Sequence, residues 1–346
     1  MAFEPYISWH LPRLGSQALE RGRTLFLSAS EDEKEDVCMM GKVVVKKVPY
    51  KGWQNCISLS NGSIELIAVT DVGPRIIRFG FVGQPNIFYE IEDEVGTVGS
   101  DDYKLYGGHR LWHSPESMPR TYVPDNSPVQ WEEIENGIIL RQEIEHWTHI
   151  RKELIIRLSC DTNEVCVRHR LTNTGAWPVE LAPWAVSMMA PGGTAYLRKN
   201  LKDTGLAPNQ SFALWPYTRL DDPRVVWGRK YIMIRQDPAV VHPFKIGMPN
   251  PSGWVAYLNF DTLFIKRYIH HEEARYPDFG SSCEIYTNQN TLELGTLGPL
   301  TMLNPGSTCD HTEDWSLHAN VLESVNEKEI ESKILPLIGG DVAKNP

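Results

Sequence analysis

Positive charge, long apolar runs and paired cysteines are all scarce in this chain, and each scarcity excludes something. Over 346 residues, 44 acidic side chains stand against 34 basic ones, a formal net charge of -10. That balance excludes a surface built to neutralise phosphates, and with it nucleic acid as an expected partner. No apolar run approaches the roughly 20 residues that cross a bilayer, and the opening MAFEPYISWHLPRLG lacks the apolar stretch of a secretory signal. The expected setting is therefore cytoplasmic, with no membrane partner. Six cysteines, Cys38, Cys56, Cys160, Cys166, Cys283 and Cys309, form no C-x-x-C pair, which argues against a zinc ribbon or a dense disulfide framework. Helical periodicity is scarce too, and neither an internal repeat nor a Ser/Gly linker is visible.

What is present is tryptophan in quantity, 11 residues, in segments cut by 24 prolines and 26 glycines. Aromatic and β-branched runs bounded by turn formers predict strands. KVVVKKV and ISLSNGSIELIAV are joined and folded by turn signals, with Asn61-Gly62 the strongest. Alternation through Leu154, Ile156 and Leu158, a turn near Asp161 to Asn163, and alternation again through Val165, Val167, His169 and Leu171 predict an antiparallel meander. WVAYLNF, LFIKRYI, CEIYT and TLELGTL continue the pattern. The fold class expected is all-β, two large antiparallel sheets packed face to face. Residues 1–41, with the acidic run from Glu31 to Asp36, are set apart as an appendage expected to be partly disordered. Residues 42–320 form one sandwich domain. Residues 321–346 form a tail whose VNEKEIESKILPLI stretch is the one clear helix candidate, with Pro336 placed to interrupt it. Within strand-like runs, Trp254 and Trp315 are expected in the core.

Four constellations carry candidate chemistry. In YGGHRLWHSPESMPRTYVPDN, His109, Arg110, Trp112, His113 and Glu116 follow two glycines and precede several prolines, the pattern of a segment held over a pocket. His109 and His113 have i,i+4 spacing, but no Glu completes H-E-x-x-H, so no metal or other cofactor is assigned. In TDVGPRI, Arg75 either clamps an anionic or diol group of a ligand or pairs with Asp71. Lys245 in FKIGMPN and Lys266 in LFIKRY either point into a cleft as acid/base or anion contacts or face solvent. In YPDFGSSCEIYTNQNTLELGTL, Asp278 is a candidate contact, and Glu284 and Glu293 lie on adjacent strands across the Asn288-Gln289-Asn290 turn. There one carboxyl can be raised towards neutrality by burial and repulsion, unless both face outward. Trp112 and Trp184 are candidate stacking platforms.

These segments also carry a resemblance. LELGTLGPLTMLNPGSTCDHTEDWSL, preceded by IYTN, looks like the C-terminal signature of aldose 1-epimerases. With TDVGPRI, YGGHRLWHSPE, PRTYVPDN, FKIGMPN, GWVAY, FIKRY and YPDFG, the chain resembles a domain-of-unknown-function family in the galactose mutarotase-like superfamily, over most of the stretch from Lys42 to Leu317. The resemblance implies a β-supersandwich with a sugar-sized cleft. It also implies Glu293, on the L-E strand, as the base that takes an anomeric hydroxyl proton. The family's acid, a histidine after an L-T-N stretch, has no match in LTNTGAWPVELAPWAVSMMAPGG, so His109 or His113 would supply it. The implied activity is isomerisation of a sugar or sugar-like carbonyl compound. The alternatives are a non-catalytic carbohydrate-binding protein and a lyase, isomerase or cyclase of a non-sugar metabolite, with a metal on the two histidines and a carboxylate. Each implies a small-molecule partner.

Overall fold

The computed structural model describes residues 42–339; the appendage and the last residues of the tail lie outside them. Strands β1 (Val44–Tyr50), β2 (Trp53–Ser60), β3 (Ile64–Val69), β4 (Arg75–Phe81) and β5 (His109–Ser114) lie side by side in a first sheet. Strands β6 (Gln130–Ile134), β7 (Gly137–Arg141), β8 (Ile150–Leu158) and β9 (Glu164–Asn173) begin a second, and β10 (Val179–Met189) returns to the first. The chain then alternates. β11 (Thr194–Arg198), β13 (Val225–Trp227), β14 (Tyr231–Arg235), β16 (Trp254–Asn259), β17 (Thr262–Tyr268) and β21 (Thr308–Ala319) join the second sheet; β12 (Ala213–Leu214), β15 (Phe244–Met248), β18 (Cys283–Thr287), β19 (Leu292–Leu297) and β20 (Thr301–Leu303) join the first. The first sheet runs β1-β2-β3-β4-β5-β10-β19-β18-β15-β12, with β20 paired to β10. The second runs β13-β14-β11-β16-β17-β21-β9-β8-β7-β6. Neighbours are antiparallel, as the alternating sequence implies. The Asn61-Gly62 turn and the meander around Asp161 to Asn163 form where expected.

Period-two alternation puts one face of each sheet into a shared apolar core. Leu111, Leu181, Ile246, Ile285 and Leu294 from the first sheet meet Leu154, Val167, Val255, Phe264 and Trp315 from the second. Phe79, Phe88, Phe264 and Trp315 interlock with ring centroids 5.6 to 6.2 Å apart. Trp254 is also buried, but in a separate cluster beneath the tail, where Ile330, Ile334 and Ile338 cover Tyr196, Met233 and Ile265. The tail departs from expectation in one respect. Pro336 does not end it: the helical run continues from Glu327 to Ile338, and the α-helical ladder gives way to a π-helical turn over Ile330–Ile334 just before the segment Leu335–Ile338 that carries the proline. Among the described residues, no helix is long and apolar enough to cross a membrane.

The core also contains charge. Lys266 Nζ lies 3.0 Å from Glu313 Oε1, with both side chains fully buried, and donates to the Leu294 carbonyl at 3.2 Å. Trp315 Nε1 donates to Glu313 Oε2 at 2.8 Å, and Thr296 bridges Glu313 to His311. His169 Nδ1 donates to the His311 carbonyl at 2.9 Å, which leaves its Nε2 to accept from His109 Nε2 at 2.6 Å. His109 Nδ1 then accepts from Ser187 Oγ at 2.8 Å. One directed chain therefore satisfies every imidazole in its neutral form. Burial drives all three histidines below their usual 6.5: His109 strongly, His169 and His311 to about 3.

The unfolded chain takes up these protons near pH 6.5 and the folded chain resists them. The network's contribution is thus complete above about pH 6.5 and is lost as pH falls towards 3. The melting temperature should fall steadily from pH 7.5 to 4.5. His169→Asn, less stable at pH 7.5, should show a shallower fall. Equal slopes for the two proteins would contradict this account.

Candidate functional site

The outer face of the first sheet is the inverse of its core face. Because Leu111 and Leu294 turn inward, Arg110, Trp112, Glu293, Gly295 and Leu297 turn outward. Cross-strand pairing lines these residues up in transverse rows. The first is Trp112, Trp184 and Leu297. The second is Arg75, Arg110, Val186, Gly295, Glu284 and Gly247. The third is Met188, Glu293, Tyr286 and Lys245. Glu284 and Glu293 are diagonal neighbours, with Cβ atoms roughly 7 Å apart by sheet geometry. Between Arg110 and Glu284 the second row holds only Val186 and Gly295. A Cβ on Gly295 would lie 2.9 Å from Trp184 Nε1 and 3.2 Å from the Glu284 backbone carbonyl, so glycine is what lets the indole pack against the Glu284 strand on the cleft floor.

Arg110 is buried and lies over the Trp112 ring at 4.1 Å, while Nη2 approaches Glu293 Oε1 at 3.5 Å. None of its guanidinium nitrogens makes a hydrogen bond, and the Trp184 Nε1 and Tyr103 hydroxyl nearby are likewise unpartnered. Buried donors this numerous are costly unless something accepts from them. Glu293 is the more open carboxylate, its side chain 16% exposed. Glu284 is enclosed; burial, reinforced by Asp278 and opposed by Lys245, pushes its carboxyl up to about 8. Lys245 Nζ stands 3.0 Å from Glu284, 3.3 Å from Glu116 and 4.0 Å over the Trp215 ring. Burial opposes its charge, yet the two carboxylates outweigh that and raise it above the usual lysine value. Asp278 and Phe279 have φ of 49° and 60°, left-handed backbone in two adjacent non-glycine residues, a strained turn beside Glu284.

The structure thus brings Arg110, Trp112, Trp184, Lys245, Asp278, Glu284 and Glu293 together, and excludes others. His109 and His113 lie on the core-facing side of β5, because strand alternation sends 109, 111 and 113 opposite to Arg110 and Trp112. Neither reaches Glu293. Four residues along a strand separate them by roughly 13 Å, so they cannot share a metal. His109, His169 and Glu313 do place donor atoms within 4.8 Å of one another. Those atoms are already engaged in the directed network, and Lys266 supplies the positive charge there. Lys266 faces the core, not the cleft or solvent. Arg75 is on the cleft side but committed: it binds Asp125 through two contacts of 3.0 and 2.9 Å and donates to the Leu105 and Gly107 carbonyls. Its expected partner Asp71 instead accepts from the backbone N–H of Gln54 and Asn55. Trp215, Tyr217 and Tyr286 were not foreseen. Tyr286 was legible, two residues beyond Glu284 on the same face. Trp215 and Tyr217 lie in a loop with no periodicity to place them.

No family model and no curated protein sequence matches the chain. Solved structures do. A Klebsiella pneumoniae protein provisionally called an aldose 1-epimerase aligns at TM-score 0.53 and 9% identity, over 84% of this chain and 85% of its own. A galactose mutarotase-like protein from Lactobacillus casei aligns at 0.51 and 10%, over 76% and 100%. The chain has the galactose mutarotase-like fold. The Slr1438 protein of Synechocystis aligns equally well, at 0.52 and 10%, over 76% and 96%. At these identities the likeness is one of fold, and the chemistry of this mutarotase-like sandwich has to be read from its own cleft.

Gly295→Ala is expected to displace Trp184 and the Glu284 strand at a cost of roughly 1–3 kcal/mol. Near-UV circular dichroism should change while far-UV dichroism does not. An unchanged near-UV spectrum would show that the indole is not packed against residue 295.

Proposed function

We propose that the protein is an acid/base isomerase of the aldose 1-epimerase-like type, acting on a sugar or sugar-like carbonyl compound. The observation that carries this reading is the division of labour between two carboxyls on one sheet face. Glu293 is open, next to a guanidinium, and suited to act as a base; Glu284 is enclosed and holds its proton near neutral pH. Glu293 takes the proton of the anomeric hydroxyl. The electron pair left on that oxygen forms the carbonyl as the bond between C1 and the ring oxygen breaks, and Glu284 donates its proton to that oxygen. Rotation about the C1–C2 bond exposes the other face of the aldehyde. Reversing the proton transfers then closes the ring as the other anomer. The free N–H groups of Arg110 stabilise charge on the reacting oxygens, while the buried rings of Trp112 and Trp184 back the Arg110 and Lys245 cations.

Glu284 thus takes the acid role that the sequence left to a histidine. The unpartnered donors of Arg110 and Trp184 also suit a carbohydrate-binding protein without turnover, the second reading.

Anomer exchange of D-galactose, D-glucose and their 6-phosphates, followed by NMR, should exceed the buffer rate. Glu293→Gln and Glu284→Gln should each lower it by about 10² to 10⁴, with sugar-dependent tryptophan quenching retained. Activity should decline as pH rises through about 8, where Glu284 loses its proton. Saturable quenching with buffer-level exchange would select the binding reading.

A further inference from the structure

On the opposite face of β5 and β10, where the end of β5 and the starts of β8 and β10 come together, lies a cavity of about 110 Å³, room for several water-sized groups. Leu181, Val179 and Ile150 form its apolar wall, and Trp147, largely exposed, stands at its margin. His113 and Arg120 supply its polar wall. His113 is 1% exposed and neither ring nitrogen makes a hydrogen bond; Nε2 stands 3.4 Å from Glu145. Arg120 donates one Nη2 hydrogen bond to the Pro115 carbonyl, but its buried Nε has no acceptor. No carboxylate among the described residues pairs with it. Glu145 cannot serve, because its Oε1 lies 2.5 Å from Lys152 and its Oε2 accepts from Thr148.

We propose that this cavity binds a small aliphatic monocarboxylate, at a site separate from the cleft. The carboxylate accepts from Arg120 Nε and from one His113 N–H, and a short alkyl chain lies against Leu181, Val179 and Ile150. The charges around the pocket favour one negative charge and no more. Glu145 and Lys152 cancel, burial keeps His113 below its usual value and therefore neutral, and Arg120 alone is uncompensated. Phosphate fits poorly. Its further oxygens would face apolar carbon without hydrogen bonds, and its second charge would meet Glu145.

Isothermal titration of the full chain with butyrate at low ionic strength, with inorganic phosphate as the charge control, tests this. Saturable butyrate binding is expected, at least ten-fold tighter than phosphate. It should weaken at least ten-fold in Arg120→Gln and in Val179→Phe and persist in Arg110→Gln, each shown by its thermal melt to be folded. No saturable butyrate binding, phosphate binding as tight, or unchanged binding in both pocket variants would overturn the proposal. Loss of butyrate binding in Arg110→Gln would place the anion in the cleft and overturn it as well.

Discussion

The register of β5 against β10 and β19 governs both faces of the first sheet. His109 must point inward to complete the chain from Ser187 to His169, and it can do so only if Arg110 points outward. A slip of one residue would put a guanidinium into the apolar core and an imidazole into the cleft. The interior makes that slip costly. Lys266 and Glu313 are fully buried, and stripping one of its partner is worth roughly 3–5 kcal/mol. The polar network between the sheets therefore sets which side chains the cleft receives, although none of its members reaches the cleft.

On the cleft side the governing quantity is desolvation. Two glutamates on adjacent strands carry the same chemistry in sequence, yet one is largely shielded and the other partly open. The difference arises from what surrounds Glu284: the Pro277–Gly280 turn, Lys245, and the bare backbone of Gly247 and Gly295 on either side of it in the row. Lys245 remains charged because the Glu116 carboxylate and two indole rings face it, and Glu284 adds a second negative charge only above about pH 8.

Much of this arrangement was legible. Alternation around Leu154 to Leu171 and the Asn61-Gly62 turn specify strands and hairpins with no tertiary information. The same period put Arg110 with Trp112, and Glu284 with Tyr286, on shared faces. The histidines misled because spacing reports which residues share a face but not which face meets the core. HRLWH reads equally well with either half outward. Arg75 misled for a related reason. Its sequence neighbour Asp71 was the obvious counter-ion, but the turn turns Asp71 onto the backbone of Gln54 and Asn55, while a loop fifty residues on delivers Asp125.

Composition and periodicity by themselves determined an all-β sandwich and the strands on which the candidate residues lie, because strand formation is local and its period short. Only the tertiary structure decided the rest: the core-facing side of β5, the enclosure of Glu284, and the pairing of Arg75 with Asp125. Each depends on groups far apart in the chain whose approach removes water, and desolvation is a property of the packed sheets that no single segment encodes.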